Sequence, residues 1–331
     1  MRLLVAGGAG FIGSNFVRRR VETHPRDWVR VLDKLTYAGR RENLVGEEER
    51  VELVVGDICD RDLVREAVDG CDAIVNFAAE SHVDRSIHSP GEFIETDVFG
   101  TFVLLEAARD AGIRHLQIST DEVYGSIEAG SFTEASPLDP SSPYSASKAG
   151  GDLIVSAFGH TYRSEALIVR ASNNYGPRQH PEKLIPLTIL NCLAGDRVPV
   201  YGDGRQVRNW LHVDDFAAAI DIVLERGAPG QAYNVGGPDE LPNIEVVRRV
   251  LELTGRDESL IEHVEDRLGH DRRYSLASSK VEALGWKPRV RFDEGLERTV
   301  AWYRDNEQWW EPLRSGEYRE YYERQYGRAL S

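Results

Sequence analysis

The segment Ser119–Gly125, STDEVYG, places a hydroxyl and two adjacent carboxylates directly after an apolar run. Thr120, Asp121 and Glu122 follow His115–Ile118, whose composition is typical of a buried strand. Burial and mutual repulsion push the pKa values of neighbouring carboxyls apart, so that one can act as an acid and the other as a base. Such a pair can take a proton from carbon and protonate a leaving group, as in a dehydration. The alternative is a helix N-cap followed by a carboxylate that the helix dipole favours.

Tyr144 and Lys148 stand four residues apart at the start of a predicted helix, so they share a face. A phenol normally titrates near pH ~10, and a nearby ammonium and a positive nicotinamide ring would lower that pKa. Tyr144 could then accept the proton of a sugar hydroxyl while a hydride leaves the same carbon. The alternative is a surface tyrosine with an unrelated lysine, but a loop with Pro137, Pro140 and Pro143 precedes the pair and favours a hydride-transfer site.

Three glycines, Gly7, Gly10 and Gly13, follow the first predicted strand and open a helix. They let the backbone turn tightly and approach a pyrophosphate, to which the helix N-terminus donates N–H groups. Asp33 ends the next strand about twenty positions later, where an acid binds the adenosine ribose hydroxyls and repels a 2′-phosphate. This spacing predicts NAD rather than NADP, against the alternative that the glycines serve only a turn. Further contacts are expected from residues after the third and fourth strands: Asp57, Ile58, Phe77, Ala78 and Ala79.

The bulk composition excludes several classes of protein. Of the 331 residues, 41% are hydrophobic and 9% aromatic, as in globular proteins with a substantial core. The net charge of −15 argues against a nucleic-acid partner, which needs a basic face. No apolar run approaches the ~20 residues that cross a bilayer, and the start is interpreted as a strand rather than a signal peptide, so we expect a cytoplasmic protein without a membrane partner. Cys59, Cys71 and Cys192 show no CxxC spacing, so neither a disulfide framework nor a metal site is expected.

Short β-rich runs alternate with helical patterns through the first half of the chain. This rhythm predicts an α/β fold, a Rossmann-like doubly wound parallel sheet with a smaller C-terminal α/β substrate domain. We expect an NAD-binding Rossmann domain over 1–174, with a returning segment at about 205–238, and a mainly nucleotide-sugar-binding domain over 175–331. Helices are predicted over Phe99–Ala111, Ser145–Arg163, Leu211–Glu225 and Asn243–Thr254. Strands are predicted over Leu3–Ala6, Val29–Leu32, Val51–Val55, Ala73–Phe77, His115–Ile118 and Ala166–Val169.

Loops in the second half of the chain carry candidate substrate contacts. Asn173–Pro177 and His180–Pro186 are rich in proline and polar residues, and Asp266–Asp271 gathers polar and turn residues. Arg208 is a candidate for binding a diphosphate, because its planar guanidinium can donate two parallel hydrogen bonds to phosphate oxygens. By contrast, Asp214–Asp215, directly before an apolar helical run, is interpreted as a helix cap.

Nine segments together resemble the extended short-chain dehydrogenase/reductase superfamily and, within it, the dTDP-glucose 4,6-dehydratase family. These segments cover most of the chain to about residue 280. STDEVYG is the most specific of them. Related epimerases lack the acid pair, and many decarboxylases and GDP-mannose dehydratases carry Ser in place of Asp121. Two departures affect nucleotide loops: Leu268 stands where the family usually has Pro, and Asn209 where it usually has Asp beside Arg208. The segments are GGAGFIGS, DKLTYAG, NFAAESHVDRS, STDEVYG, YSASKAG, NNYGPRQHPEKLIP, YGDGRQVRNWLHVDD, YNVGG and GHDRRYSL.

What the resemblance implies is a redox-neutral conversion of dTDP-glucose to dTDP-4-keto-6-deoxyglucose and water on one tightly held NAD. Tyr144 would deprotonate the sugar O4 while C4 passes hydride to NAD, with Lys148 and Thr120 assisting. Glu122 would then remove the C5 proton, and Asp121 would protonate the departing C6 hydroxyl. The hydride would return to C6, and Glu122 would reprotonate C5.

The resemblance also implies binding residues and an assembly. It implies a homodimer formed through helices of the first domain, for which Phe99–Ala111 and Ser145–Arg163 are the candidates. Besides the glycines, Tyr144 and Lys148, the residues implied to hold NAD are Phe11, Ile12, Asp33, Lys34, Leu35, Thr36, Asp57, Ile58, Thr96 and Asn174. The residues implied to hold substrate are Ser81, Thr120, Asn173, Lys183, Leu184, Pro199, Val200, Tyr201, Arg208, Asn243, Asp266, Arg267, Leu268, Gly269 and His270.

Several other functions share part of this residue set. A UDP-glucose 4,6-dehydratase would use the same catalytic residues. A UDP-sugar 4-epimerase or decarboxylase would keep Tyr144 and Lys148 but leave Asp121 and Glu122 idle. A non-catalytic, NAD-sensing protein is a third alternative, although such proteins typically lose the tyrosine or the lysine.

Overall fold

A seven-stranded parallel sheet forms the centre of the protein. The computed structural model describes residues 1–267, 269–314, 322 and 325–327. The strands of this sheet are β1 (Arg2–Ala6), β2 (Trp28–Asp33), β3 (Val51–Val55), β4 (Ala73–Asn76), β5 (Arg114–Thr120), β6 (Ala166–Ala171) and β10 (Ala232–Val235). Their order is β10-β6-β5-β4-β1-β2-β3, and every neighbouring pair is parallel. The order reverses beside β1, at the switch point where ligands bind in doubly wound sheets.

Helices cover both faces of this sheet, because its strands are apolar on both sides. Leu3 and Val5 of β1 pack with the helices that lie on one face, while Leu4 and Ala6 pack with those on the other. The helices are α1 (Phe11–Thr23), α2 (Arg61–Val68), α3 (Val83–His88), α4 (Pro90–Phe93), a π-helical stretch (Ile94–Gly100), α5 (Thr101–Ala111), α6 (Pro143–Tyr162), α7 (Leu184–Ala194), α8 (Val213–Arg226), α9 (Asn243–Thr254), α10 (Ser279–Glu282), α11 (Phe292–Asp305) and α12 (Glu307–Trp310). Short 3-10 helices occupy Arg41–Leu44, Asp121–Tyr124, Glu258–Leu260 and Glu311–Arg314. The predicted fold class is confirmed.

Two small sheets accompany the later helices. The first contains β7 (Asn173–Tyr175), β9 (Val207–His212) and β11 (Asp239–Pro242), in the order β11-β9-β7. The second pairs β8 (Val198–Tyr201) with β12 (Ile261–Val264) in parallel. A separate apolar core joins α7, α9 and α11 to these strands. Within the described ranges, no helix is both long enough and apolar enough to span a membrane.

All six predicted strands form, and their ends differ from the prediction by at most two residues. The prediction for Leu211–Glu225 is wrong at its start, because Leu211 still belongs to β9 and α8 begins at Val213. The cap prediction is also wrong: Nδ1 of His212 accepts the backbone N–H of Asp214 at 3.3 Å. Asp215 instead accepts the backbone N–H groups of residues 289 and 290, so it holds a distant loop rather than its own helix. Apolar periodicity alone could not separate the end of a buried strand from the helix that follows it.

Candidate active site

The glycine-rich turn between β1 and α1 presents backbone rather than side chains to the space in front of it. Gly7 has φ +71°, and a Cβ at this position would overlap the backbone of Ala78 in the loop after β4. A Cβ on Gly13 would overlap the carbonyl of Gly7. No side chain caps the start of α1 at Gly10, so its first N–H groups face the cavity in front of them. This arrangement fits the pyrophosphate of a dinucleotide.

Asp33, at the end of β2, stands where a ribose would lie. Its carboxylate accepts the backbone N–H groups of Ala9 and Leu35, both at 2.9 Å. Burial raises the pKa of Asp33, and these two hydrogen bonds oppose the rise. Nearby, Lys34 forms an ion pair of 2.7 Å with Asp57. Asp33 is therefore fixed in position while its other lone pairs are left for ribose hydroxyls.

Tyr144 and Lys148 lie in the first turns of α6. Ser142 and Ser145 form a capping box that fixes the start of this helix. The Nζ of Lys148 donates a hydrogen bond of 2.8 Å to the carbonyl oxygen of Ile118 in β5. Burial, followed by the charge of Glu122, raises the pKa of Tyr144 well above its ordinary value, and a hydrogen bond with Thr120 opposes this. A proton acceptor at Tyr144 therefore needs additional positive charge beside it.

The two carboxyls of Asp121 and Glu122 project from the 3-10 helix that follows β5. Thr120 caps this turn, accepting the N–H of Glu122 at 3.3 Å, and its own hydroxyl donates to Asp121 at 3.3 Å. Burial, followed by the charge of Glu122, raises the pKa of Asp121 to about 8. Burial also raises the pKa of Glu122, but the cations Arg208 and Lys183 oppose that rise. Asp121 therefore tends to keep its proton at neutral pH, while the cations beside Glu122 favour the ionised form of that carboxyl.

Two adjoining cavities meet at the acid pair. The first has a volume of about 300 Å³ and is lined by the Gly7–Gly13 turn, Asp33, Tyr144 and Lys148. The second has a volume of about 160 Å³. Residues that line both cavities are Glu122, Asn173, Glu182 and Lys183. A ligand that extended from one cavity into the other would therefore pass directly over Glu122.

Most of the predicted binding residues line one of these cavities. The first cavity takes in Gly7, Gly10, Phe11, Ile12, Gly13, Asp33, Lys34, Thr36, Asp57, Ile58, Phe77, Ala78, Ala79, Ser81, Thr96, Thr120, Asp121, Tyr144, Lys148 and Asn174. The second takes in Leu184, Pro199, Val200, Tyr201, Arg208, Asn243, Arg267, Gly269 and His270.

Three predicted residues are not among the cavity lining. Leu35 packs against the core beside β2 and offers the site only its backbone. Asp266 accepts hydrogen bonds from Gln206 at 3.0 Å and from the backbone of Arg267 at 2.8 Å, so it supports the loop that carries His270. Leu268 lies outside the described residues.

Arg208 is held at the back of the second cavity by the protein itself. Its guanidinium donates to the carbonyl oxygens of Val207 at 2.9 Å and Asp271 at 3.0 Å, and it lies 4.3 Å from the ring centre of Tyr274. Lys183 donates to the carbonyl oxygen of Ser81, and burial lowers the pKa of this lysine. Four acids also line this cavity: Asp84, Glu122, Glu182 and Asp271. Because Asp84 is paired with Arg267 and Glu182 with Arg85, Arg208 and Lys183 are the cations placed to bind a diphosphate.

Several cavity residues were missed by the reasoning from sequence. Gln179, His180 and Glu182 lie beside or inside a loop that was already singled out, so its polar character was the available signal. Six others lie in segments that carry the family resemblance but were given no role: Tyr37, His82, Asp84, Gln206, Trp210 and Tyr274. Tyr326 gave no signal, because its position depends on how distant segments fold together.

Some buried polar atoms in the cavities lack a hydrogen-bond partner among the described residues. They include Oδ2 of Asp121 and the Oδ1 atoms of Asn173, Asn174 and Asn243. Buried polar atoms are almost always paired in folded proteins. The site therefore has acceptors arranged for a polar ligand, and its glycine-rich turn and fixed Asp33 fit a dinucleotide in the first cavity.

Comparison with known proteins agrees with this geometry. The sequence profile of the GDP-mannose 4,6 dehydratase family matches residues 4–299. A dTDP-glucose 4,6-dehydratase of Mycobacterium tuberculosis (strain ATCC 25618 / H37Rv) is 51% identical, over 98% of this chain and 99% of that protein. The chain belongs to the dTDP-glucose 4,6-dehydratase family. The family resemblance inferred from the sequence is thus confirmed.

Two further relatives extend this comparison. The structure of DesIV, a dTDP-glucose 4,6-dehydratase from Streptomyces venezuelae, was solved with NAD and TYD bound. It superposes with a TM-score of 0.93 at 54% identity, covering 95% of this chain and all of that one. The low-salt glycan biosynthesis protein Agl12 of Haloferax volcanii is 54% identical over 92% of this chain and 98% of that protein.

Proposed function

We propose that this protein is a dTDP-glucose 4,6-dehydratase, an NAD-dependent hydro-lyase that forms dTDP-4-keto-6-deoxyglucose and water. The observation that carries this proposal is the position of Glu122. It lines both cavities, beside a protonated acid in Asp121 and opposite the Tyr144–Lys148 pair. Neither a simple oxidation nor an epimerisation needs that acid pair.

Tyr144 carries out the proton transfer at the sugar O4. Its phenol hydrogen-bonds with Thr120, so the Thr120 hydroxyl can relay the proton of the sugar hydroxyl to Tyr144. Lys148, tethered to Ile118, places an ammonium in the same buried region and favours the phenolate. Tyr144 is thus the base for the O4 proton, and Lys148 and Thr120 keep it in that role.

The acid pair, Asp121 and Glu122, carries out the elimination across C5 and C6. A ketone at C4 makes the C5 proton acidic, and Glu122 is the ionised carboxylate available to remove it. Asp121 holds its proton at neutral pH because burial and the charge of Glu122 raise its pKa to about 8. It can therefore protonate the C6 hydroxyl as that hydroxyl leaves, after which Glu122 returns a proton to C5.

The first cavity is proposed to hold NAD. When bound, NAD accepts a hydride from C4 of the sugar and later returns one to C6. The Gly7–Gly13 turn would bind the pyrophosphate, and Asp33 would bind the adenosine ribose. The buried cavity walls exclude water, so a reactive intermediate is protected from the solvent.

The second cavity is proposed to hold the nucleotide diphosphate of the substrate. Arg208 and Lys183 supply the positive charge for the two phosphates, while Asn173 and Asn243 offer unpaired amide oxygens to the ligand. The base would lie against the apolar wall formed by Pro199 and its neighbours in β8.

A homodimer is also proposed. The π-helical stretch and α6, which pack against each other, each expose two large apolar side chains. Ile94 and Phe99 stand on one segment, and Leu153 and Tyr162 on the other. Exposed apolar groups clustered on neighbouring helices are typical of an interface between subunits.

Two further assignments are proposed on structural grounds. The NAD-binding domain would comprise 1–174 with a return at about 205–238, since β10 adds to the main sheet and α8 packs against α1. The remainder of 175–331 would mainly bind the nucleotide sugar. A cytoplasmic location is proposed because Cys59, Cys71 and Cys192 are all free thiols.

The proposal is tested by incubating the purified protein with dTDP-glucose and no added cofactor. We expect loss of one water and a new keto group by mass spectrometry, with NAD co-purifying in the protein. UDP-glucose serves as the matched comparison, and faster conversion of UDP-glucose would change the nucleotide assigned to the second cavity. Unchanged substrate with both sugars, and again with NAD added, would overturn the proposed function.

A further inference from the structure

Asp97 is a buried acid that none of the roles above employs. It lies in the π-helical stretch between α4 and α5, and its side chain is 1% exposed. It lies behind the wall of the first cavity, where the preceding residue, Thr96, contributes to the lining. Burying a carboxylate is unfavourable unless other groups bind it, so its partners indicate what it holds in place.

The carboxylate of Asp97 joins two parts of the catalytic site. Its Oδ1 accepts the backbone N–H of Glu80 at 3.1 Å, and its Oδ2 accepts the hydroxyl of Ser147 at 2.6 Å. Glu80 belongs to the loop after β4 that lines the first cavity, and Ser147 lies in α6 directly before Lys148. Asp97 thus ties the wall of the cofactor cavity to the helix that carries the tyrosine and the lysine.

Close helix packing keeps this connection short. A Cβ on Gly151 of α6 would lie 2.8 Å from the carbonyl oxygen of Asp97, so only glycine allows this approach. The hydroxyl of Ser147 also lies 2.7 Å from the carbonyl oxygen of Tyr144. The position of the Tyr144 backbone is therefore linked through Ser147 to Asp97.

Charge provides a second, independent connection. Burial raises the pKa of Asp97 to about 6, and the nearby Lys148 ammonium limits that rise. Asp97 is therefore an anion at neutral pH, and its charge adds to burial and Glu122 in raising the pKa of Tyr144. The other titratable group facing Asp97 is Glu80, whose pKa is raised by burial and then by the Asp97 charge.

We propose that Asp97 is a positioning residue for the reaction, whose carboxylate holds α6 against the cofactor loop and supplies the fixed negative charge opposite Lys148. This inference rests on the proposed function, in which Tyr144 and Lys148 transfer the O4 proton. The hydrogen bonds of Asp97 fix where Tyr144 stands, and its charge sets the pH range in which Tyr144 works.

The two contributions are separated by Asp97→Asn and Asp97→Ala. In Asp97→Asn the amide oxygen can still accept the N–H of Glu80, and the NH2 group can donate to Oγ of Ser147, whose own proton then goes to the carbonyl oxygen of Tyr144. The charge is lost, so the pKa of Tyr144 should fall. We expect the acidic limb of the pH profile of kcat/KM, which reports the ionisation of Tyr144, to move to lower pH by roughly one unit, while the alkaline limb stays in place. The control is Glu95→Gln, which removes the same charge from an exposed site two residues away and should leave the profile in place.

Asp97→Ala also removes the hydrogen bonds. We expect kcat to fall about 10- to 100-fold, because small displacements of reacting groups have effects of that size. The dissociation constant of NAD, measured by calorimetry on cofactor-stripped protein, should rise for Asp97→Ala and change little for Asp97→Asn. That binding measurement does not depend on turnover.

Either of two results would overturn the proposal. One is a pH profile of Asp97→Asn that overlays the wild type, and the other is a wild-type kcat and NAD affinity in Asp97→Ala. If Asp97→Ala does not fold, the pH profile of Asp97→Asn alone tests the proposal. If wild-type protein failed to dehydrate dTDP-glucose, the proposed function would fail instead, so the two failures are distinguishable.

Discussion

Arg170 donates a hydrogen bond of 2.7 Å to the hydroxyl of Tyr124, the last residue of the turn that carries the acid pair. The same hydroxyl donates to Asn234 of β10 at 2.9 Å, and Arg170 forms an ion pair of 2.7 Å with Asp152 of α6. All four residues are buried or nearly so. The turn bearing Asp121 is therefore fixed to two strands of the sheet and to the catalytic helix by one polar network.

Replacing Tyr124 by Phe should loosen that turn. Arg170 and Asn234 would each lose a buried partner, which we expect to lower the free energy of unfolding by about 1–3 kcal/mol. kcat should fall about tenfold or more, because Asp121 and Glu122 would lose their fixed position. Urea unfolding and steady-state kinetics measure the two effects. Tyr162→Phe, at an exposed hydroxyl, is the control and should change neither quantity.

Asp121→Asn should stabilise the protein while it abolishes turnover. The pKa of Asp121 is raised to about 8 in the folded state, so the folded protein binds a proton that the unfolded chain has already released. The contribution of this group to stability is therefore present below the ordinary pKa of an aspartate and is lost as the pH rises towards 8. We expect Asp121→Asn to raise the free energy of unfolding by roughly 1–3 kcal/mol at pH 8 and by clearly less at pH 5.

Chemical unfolding at the two pH values checks this prediction, and kcat should fall by about 10²–10⁴ because an amide cannot protonate the leaving hydroxyl. Equal stability of Asp121→Asn and wild type at pH 8 would show that Asp121 is not a buried, protonated acid. The pH dependence of kcat should have an alkaline limb near 8 in the wild type and none attributable to Asp121 in the variant.

Glu122→Gln should stop the reaction after oxidation at C4. Without a carboxylate at this position the C5 proton stays in place, so reduced cofactor accumulates in a single turnover and no solvent deuterium enters C5. Absorbance near the reduced nicotinamide band and mass spectrometry of recovered sugar measure these two outcomes. Glu128→Gln, an exposed acid a few residues away, serves as the control. Normal product release by Glu122→Gln would remove Glu122 from the elimination.

Asp33→Asn should weaken NAD binding and reduce the preference of the protein for NAD over NADP. Its amide group keeps the size of the side chain but opposes the N–H of Ala9 and removes the charge that repels a 2′-phosphate. We expect the dissociation constant of NAD to rise about tenfold or more, as for loss of a charged hydrogen bond. Calorimetry with NAD and with NADP measures the ratio of their dissociation constants. Asp62→Asn on the surface of α2 is the control.

Leu153→Glu should shift the protein from dimer to monomer. Leu153 is 60% exposed on α6, and a carboxylate there would remain unpaired and buried in an interface formed by this helix. Light scattering would then give the mass of one chain. Val45→Glu, equally exposed but far from α6 in sequence, is the control and should leave the dimer intact. A wild type that is already monomeric would contradict the proposed assembly.

Much of the fold was predictable because its signals are local. The strand β5 reads as a buried apolar run followed by polar residues, and the Gly7–Gly13 spacing implies a strand, a turn and a helix in that order. The capped start of α6 follows a proline loop in the sequence as in the structure. These features depend on neighbouring residues, so one sequence is enough to recognise them.

The remaining features depend on contacts between distant segments. Asp97 gives no signal of its own, because its partners Glu80 and Ser147 come from two other parts of the chain. Likewise, a return of the chain to the first domain was expected at about 205–238, but no periodicity indicates that its strand β10 would pair with β6 at the edge of the main sheet. His212 caps α8 although an Asp pair stands directly after it, since tertiary packing keeps β9 extended as far as that residue.

Following one hydrogen atom through the reaction tests the proposed dehydration directly. dTDP-glucose carrying deuterium at C4 is converted in ordinary water, and the product is examined by mass spectrometry and NMR. We expect deuterium to move from C4 to C6 of the same sugar, while C5 acquires hydrogen from the solvent. Deuterium that remained at C4, or that was lost to water, would contradict a dehydration carried by Tyr144, Asp121 and Glu122 around one bound cofactor.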